Sequence, residues 1–167
     1  MSNIPKLIDL ISFSEKSKGI SGQFPLSKCG RLLDMVPEQN QSIWVSLQFG
    51  KQGATFVVTG EVKTEIEVTC QSCLDRLSVR LECKVSLGLV HSLDAIGLLP
   101  EGFEPLLIES DDSVMDVADI IQDELILALP QYPRHEHCLL AKLERPITSN
   151  DDERENPFGV LKRLNRV

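Results

Sequence analysis

The sequence predicts an α+β fold: an antiparallel sheet with one main packed helix, short N-terminal elements and a C-terminal tail helix. Two observations lead to this prediction. Between residues 43 and 91, apolar residues recur at every second position, which is the period of half-buried strands. Between residues 114 and 129 they recur at helical spacing.

The composition is that of a globular domain with a mostly aliphatic core. Of the 167 residues, 42% are hydrophobic and 25% charged, but only 5% are aromatic. No apolar run is long enough to span a bilayer, and the N-terminus lacks the basic start and apolar stretch of a signal peptide. We therefore expect a cytoplasmic protein with a single domain over residues 1–143, then a polar linker and a short basic amphipathic helix over residues 144–167.

Short elements are predicted before the sheet. The apolar residues between positions 7 and 11 indicate a short strand or helix. Ser27 is placed to cap a short helix over residues 28–35, which Pro37 would end. We expect this helix to turn Leu32 and its apolar neighbours inward.

The sheet is predicted from three runs of alternating residues. The first ends at Phe49 and leads into a turn at residues 50–53. The second runs straight into Cys70, and the third covers residues 77–89. Beyond a loop, residues 106–108 could form a short edge strand.

The main helix is predicted to begin at Ser113, with Asp116 in the position of a capping-box residue. Pro130 would end it, because proline cannot continue a helix. The apolar stripe that we expect to face the sheet contains Val114, Val117, Ile120, Ile121, Leu125, Leu127 and Ala128.

The cysteines suggest a zinc site. Cys70 and Cys73 form a Cys-x-x-Cys pair at a predicted bend between two strands, a geometry that directs two thiolates at one point. About sixty residues later, Cys138 could supply a third thiolate, and His135 or His137 the fourth ligand. One structural zinc ion would then join two distant parts of the chain.

Two other interpretations of the pair stay open. Cys70 and Cys73 could be reduced thiols at a turn, with both histidines on a solvated loop. A redox function is disfavoured, because it needs a helix N-terminus after a strand to lower a thiol pKa, and strands are predicted on both sides. Cys29 and Cys83 are most simply core residues.

Charge is distributed unevenly along the chain. Residues 1–60 have a net charge of +2 and residues 61–167 a net charge of -10. From Val85 to Pro133 there are ten acidic residues and no Lys or Arg. A surface built from this stretch would repel phosphate backbones and attract a basic protein.

The acidic residues of the predicted helix are the candidate partner-binding group: Asp112, Asp116, Asp119 and Asp123. The alternative is a solvated acidic face that keeps the protein soluble. A pair of catalytic or magnesium-binding carboxylates at Asp119 and Asp123 fits less well. Because the sequence also has no Gly-rich phosphate loop and no nucleophile motif, we expect a protein that is not an enzyme.

The tail has its own candidate function. Asn156 and Pro157 resemble the first positions of a helix, and Lys162, Arg163 and Arg166 could contact RNA phosphates. The same helix could instead pack its apolar face onto the domain or onto a partner.

Four stretches of the sequence resemble the YceD-like family of bacterial large ribosomal RNA subunit accumulation proteins. They are residues 68–73, residues 100–105, residues 123–130 with Pro133 and the His/Cys cluster, and residues 156–161. The resemblance covers about residues 60–165. It implies a role in the synthesis, processing or stability of 23S ribosomal RNA, and it implies no catalytic residues.

The leading hypothesis is therefore a non-enzymatic ribosome biogenesis factor that docks a basic ribosomal or assembly protein. It would have no small-molecule substrate and no membrane partner. One alternative is direct binding of 23S rRNA or its precursor, through the N-terminal region and the terminal helix. The other, which we disfavour, is a small redox or nuclease enzyme.

Overall fold

The structure, a computed structural model, describes residues 4–37, 40–108, 113–136 and 138. Two short 3-10 segments, Leu26–Lys28 and Leu93–Leu98, connect longer elements. Those elements follow in the order β1 (Leu7–Asp9), α1 (Leu10–Glu15), β2 (Gly19–Pro25), α2 (Gly30–Leu33), β3 (Ser42–Gln52), β4 (Thr55–Thr69), β5 (Arg76–Val90), β6 (Glu104–Leu107), β7 (Val114–Asp116) and α3 (Val117–Ala128).

A five-stranded sheet with the order β2-β3-β4-β5-β6 is the centre of the fold. The first three strand pairs are antiparallel; the pairs of β3 with β4 and of β4 with β5 confirm the prediction, whereas β2 was not predicted. The last strand, β6, confirms the expected edge strand but lies parallel to β5. The long hairpin of β4 and β5 runs from Val57 opposite Gly88 to Thr69 opposite Arg76, and it therefore carries the two cysteines of the turn at its tip.

Helix α3 packs on the inner face of this sheet. Alternate residues of the strands, such as Val45, Ile66 and Val85, are buried in one core together with Ile121 and Leu125 of the helix. The Cys83 thiol donates to the Glu124 carbonyl over 3.5 Å, so β5 and α3 are in direct contact. The predicted α+β architecture is thus confirmed, and the tail helix lies outside the described residues.

The main helix begins later than predicted. Its N-cap is Asp116, whose carboxylate accepts from the Ala118 N–H at 2.9 Å, and not Ser113. The residues before it instead form β7, which pairs with β1, and the Ser113 hydroxyl donates to Asp9 at 2.7 Å. A pairing across more than one hundred positions therefore overrides the local capping signal.

Other details of the prediction were also wrong. The hairpin turn lies at Gly53 and Ala54, because β3 continues to Gln52 and Gly53 adopts the left-handed φ of 61° that a two-residue turn requires. The predicted helix over residues 28–35 is only the single turn α2, and Ser27 does not cap it. Leu127 is 76% exposed, because it lies about 200° around the helix from Leu125. Ala128 is exposed as well.

Candidate metal centre

The tip of the β4–β5 hairpin forms a tight knuckle. The Cys70 N–H donates to the Asp75 carbonyl and the Leu74 N–H to the Cys70 carbonyl, both over 2.9 Å. Leu74 adopts a left-handed φ of 65°, which lets the chain reverse between the two strands. This loop brings the Cys70 and Cys73 thiols to the same side.

The second half of the site comes from the segment after α3. The helix ends at Ala128, and the chain then returns to the knuckle, where the Pro133 carbonyl accepts from the Gln71 N–H over 2.8 Å. The Cys138 N–H donates to the His135 carbonyl over 3.3 Å, so the chain makes another tight bend there. Both ends of this bend face the knuckle.

The four side chains meet as a Cys3His cluster. The ligand atoms of Cys70, Cys73, His135 and Cys138 all lie within 4.8 Å of one another. The Cys73 sulphur lies 3.4 Å from His135 Nδ1, close to the ~3.6 Å that separates a sulphur and a nitrogen ligand around tetrahedral zinc. The donor set and its spacing therefore fit a metal ion that prefers sulphur and nitrogen.

The His135 ring is oriented for coordination. Its Nε2 lies 3.1 Å from the Arg76 carbonyl, which can only accept a hydrogen bond. The proton is thereby placed on Nε2, and the Nδ1 lone pair is left facing the thiols. Backbone carbonyls fix the tautomer of metal-binding histidines in the same way.

The electrostatics differ between the two thiols of the pair. Backbone N–H groups, of Cys73 first and then of His135 and Ser72, outweigh desolvation and lower the pKa of Cys70 to about 6. The N–H of Asp75 lowers the pKa of Cys73, but desolvation and its hydrogen bonds with the other thiols outweigh it and raise this pKa to about 11. The first charge of the pair thus resides on Cys70, and a bound cation would favour ionisation of Cys73 as well.

The site is closed. Cys70 is fully buried, Cys138 is 6% exposed, and Cys73 and His135 are half-buried. Four protein ligands would complete a tetrahedral shell and leave no position for a substrate, which is the pattern of structural zinc sites. Of the two histidines left open by the sequence, His135 lies in the cluster, while His137 lies outside the described residues.

The remaining cysteines are core residues, as predicted. Cys29 is fully buried and Cys83 is 8% exposed, and both belong to the hydrophobic core. Burial raises the pKa of Cys29 to about 11, with smaller contributions from the Asp116 and Asp119 carboxylates. These thiols therefore stay protonated at neutral pH.

The members of the predicted acidic group make different contacts in the structure. Asp116 caps α3, Asp119 accepts from Gln122 over 2.7 Å, and Asp123 forms an exposed ion pair with Arg31 at 2.6 Å. Of the three described members of the group, Asp119 and Asp123 are exposed and Asp116 is half-buried. Two other predicted groups lie outside the described residues, namely Asp112 and the cations Lys162, Arg163 and Arg166.

Sequence reasoning did not single out a second acidic group beside α3. Glu104, on the edge strand β6, lies near Glu124 of the helix. Burial first, and then the carboxylates of Glu104 and Asp123, raise the pKa of Glu124. Across the described part of the chain, no Lys or Arg forms an ion pair with Glu104 or Glu124. The signal was present in the long acidic stretch, but only the parallel pairing of β6 shows that these residues are neighbours.

Comparison with known proteins identifies the family. The family model described as "Large ribosomal RNA subunit accumulation protein YceD" matches residues 58–165. This chain belongs to that family. A protein of Haemophilus influenzae with the same name is 29% identical over 167 residues, covering 96% of this chain and 95% of the relative. No solved structure matches the chain.

The match includes the whole candidate metal centre, because its first ligand is Cys70 and its last is Cys138. It also extends past the described residues into the tail. Among the helices that the structure describes, none is long and apolar enough to cross a membrane.

Proposed function

We propose that this YceD family member is a cytoplasmic, non-enzymatic ribosome biogenesis factor that supports the synthesis, processing or stability of 23S rRNA. Its family description and that of its relative both name large ribosomal RNA subunit accumulation. It acts by holding a basic ribosomal or assembly protein on an acidic surface. We define this acidic surface as Glu104, Asp119, Asp123 and Glu124.

The observation that carries this proposal is that no Lys or Arg among the described residues forms an ion pair with Glu104 or Glu124. Burial and neighbouring carboxylates raise the pKa of Glu124, which means that its negative charge is unfavourable in the isolated chain. A Lys or Arg of a partner would relieve this repulsion. Charge complementarity of this kind increases association rates and excludes acidic competitors such as nucleic acid.

We propose that the Cys3His cluster holds one structural zinc ion. When bound, the ion supplies a cross-link between the β4–β5 knuckle and the segment that follows α3. The residues of the chain orient its ligands: Arg76 fixes the His135 ring, and Pro133 accepts from the knuckle. The cross-link would fix the exit of the chain from α3, the helix that carries most of the acidic surface.

Two of the cations on the outer face of the sheet already have acidic partners. Lys63 lies 2.7 Å from Glu61, and Arg76 lies 2.8 Å from Glu67, so each is already paired with a carboxylate. Binding of a phosphate backbone would have to displace these partners. Direct RNA binding by the protein is one of the outcomes that the experiment below can detect.

Crosslinking in cells, followed by identification of both the attached proteins and the attached RNA, tests the proposal. The test variant carries Glu104→Gln, Asp119→Asn and Glu124→Gln. The control carries Glu15→Gln, Glu82→Gln and Asp94→Asn, which removes the same charge at three exposed positions. We expect basic large-subunit or assembly proteins to attach to the wild type and the control, and roughly tenfold less to the test variant.

Three results would overturn the proposal or a part of it. Equal protein capture by both variants would show that the acidic surface is not the docking site. Attachment of 23S rRNA or its precursor without any basic protein would favour direct RNA binding instead. Cleavage of an rRNA precursor by the purified protein with magnesium would show that the non-enzymatic assignment is wrong.

A further inference from the structure

An apolar groove lies beside the C-terminal end of α3. It has a volume of about 300 Å³ and is open to solvent. Residues from three parts of the fold line it, namely the turn after α2, the end of β4, and the end of α3 with the chain that follows. Its apolar lining consists of Met35, Val68, Ile126, Leu129, Pro130 and Pro133.

The segments that line this groove carry exposed apolar side chains. Met35 is 59% exposed, and Leu127 and Tyr132, which are sequence neighbours of lining residues, are 76% and 73% exposed. Single exposed apolar residues are ordinary, but several of them around an apolar groove mark an interaction site.

The charge beside the groove favours a basic occupant. Asp123 lies one helical turn before the lining residue Ile126, whereas Glu124 lies about 200° around the helix from it, so Asp123 is the carboxylate next to the groove. Asp123 also forms an exposed ion pair with Arg31. The last turn of α3 contains no basic residue, so the partial negative charge of the helix C-terminus is not balanced there by its own side chains. An occupant with both apolar and cationic side chains would complement this surface.

The chain itself contains such a segment. Residues 156–167 lie outside the described residues, and their sequence combines Phe158, Val160, Leu161 and Leu164 with Lys162, Arg163 and Arg166. The family match runs to residue 165, so most of this segment belongs to the family unit. The apolar residues of the segment match the apolar lining of the groove, and its cations match the negative charge next to the groove.

The connection is long enough, and it starts near the groove. Gln71 and Pro133 both line the groove and are hydrogen-bonded to each other, and the chain leaves the described residues at Cys138, beside the same knuckle. The residues from 139 to 155 could span up to ~55 Å when extended. A tether of this kind gives the segment a high effective concentration at the groove, on the order of millimolar.

We propose that residues 156–167 bind in this groove of the same molecule, with apolar side chains against its lining and cations beside Asp123. The docked segment thereby covers the apolar surface that the end of α3 leaves exposed. It also places Lys162 beside the Asp123 carboxylate, a contact that a zero-length crosslinker can capture. The segment leaves Glu104 and Glu124 to the basic partner proposed above, and the test below does not depend on that partner.

Carbodiimide crosslinking of the full-length protein at low concentration, followed by peptide mass spectrometry, tests this contact. We expect an intramolecular crosslink from Lys162 to Asp123. The variant Phe158→Gln/Leu161→Gln, and separately Met35→Gln in the groove lining, should lower its yield at least tenfold without changing any charge. The matched control is Leu93→Gln, because Leu93 is 72% exposed in a different part of the fold.

Three outcomes would overturn the proposal. In the first, the wild type forms no crosslink between Lys162 and Asp123. In the second, Lys162 reacts equally with many exposed acids, and the apolar substitutions change nothing. In the third, a mixture of ¹⁴N- and ¹⁵N-labelled protein gives mainly crosslinks between two labels, so that a second copy is the occupant. Thermal unfolding of each variant, measured in parallel, shows that the fold is kept.

Discussion

The five cysteines of this chain occupy two contrasting environments. Cys70 lies at a knuckle where backbone N–H groups face its sulphur and lower its pKa to about 6. Cys29 lies in the apolar core, where burial raises its pKa to about 11. Both side chains are shielded from solvent, but only Cys29 belongs to the hydrophobic core. The core surroundings make Cys29 a small hydrophobic residue, and the donors around Cys70 suit that thiol to binding a metal.

Removal of both knuckle thiols should have the largest effect. The variant Cys70→Ser/Cys73→Ser loses half of the ligand set, and with it the stabilisation that a bound ion gives to the folded state alone. With free zinc at about 1,000 times the dissociation constant, this stabilisation is ~4 kcal/mol. We expect that loss in denaturant unfolding with zinc present, and no further change when a chelator is added.

The control for this experiment is Cys83→Ala in the core. It should lower the free energy of unfolding by only about 1 kcal/mol, and a chelator should still destabilise it as strongly as the wild type. If both variants lost the same free energy of unfolding, the knuckle cysteines would not differ from the core cysteines in metal binding.

The histidine ligand gives the next largest effect. Replacing His135 with alanine removes a ligand and also the hydrogen bond to the Arg76 carbonyl, so zinc affinity should fall at least about 100-fold. Competition with a chromophoric chelator measures this change. His91→Ala, at an exposed position away from the cluster, should leave affinity unchanged. Full affinity in His135→Ala, with a loss in His137→Ala, would assign the fourth ligand to His137 instead.

The core environment of Cys29 predicts a loss of stability at alkaline pH. Its pKa is raised from 9.0 to about 11, so the unfolded chain releases this proton first as pH rises. The stability that the buried thiol contributes is complete below pH 9 and is lost as pH rises through 11. Between pH 8 and 10.5 the loss should be roughly 2 kcal/mol.

The variant Cys29→Ala isolates this effect, because all other titrating groups are shared with the wild type. Between pH 8 and 10.5, the free energy of unfolding of the wild type should fall by roughly 2 kcal/mol more than that of the variant. A constant difference would mean that Cys29 titrates as an ordinary exposed thiol.

The smallest effect concerns the backbone of the knuckle. Leu74 is 76% exposed and holds a left-handed φ of 65°, which costs a residue with a side chain about 1–2 kcal/mol. Leu74→Gly removes this cost but adds freedom to the unfolded chain, so stability should rise by about 0–1 kcal/mol with zinc affinity unchanged.

Gly53 provides the opposite test, since it has a similar φ of 61° at the other turn. Gly53→Ala should destabilise the protein by about 1 kcal/mol. Loss of zinc affinity in Leu74→Gly would instead show that the leucine side chain shapes the site.

Local patterns predicted the elements of this protein better than their ends. The alternation in the strands and the Cys-x-x-Cys spacing gave the sheet, the knuckle and the ligand candidates, because each depends on residues that are close in sequence. The start of α3 was wrong because β7 pairs with β1, whose residues lie more than one hundred positions away. The pairing of Asp123 with Arg31 and the proximity of Glu104 to Glu124 also depend on long-range packing, so a linear acidic stretch could not distinguish used carboxylates from free ones.

Elemental analysis of protein purified without chelator is the most direct test of the contrast between the two cysteine environments. The account predicts close to one zinc per chain in the wild type and in Cys83→Ala, and almost none in Cys73→Ser. Wild-type protein that holds no zinc after dialysis against a zinc-containing buffer would contradict it, as would a zinc content in Cys73→Ser equal to that of the wild type.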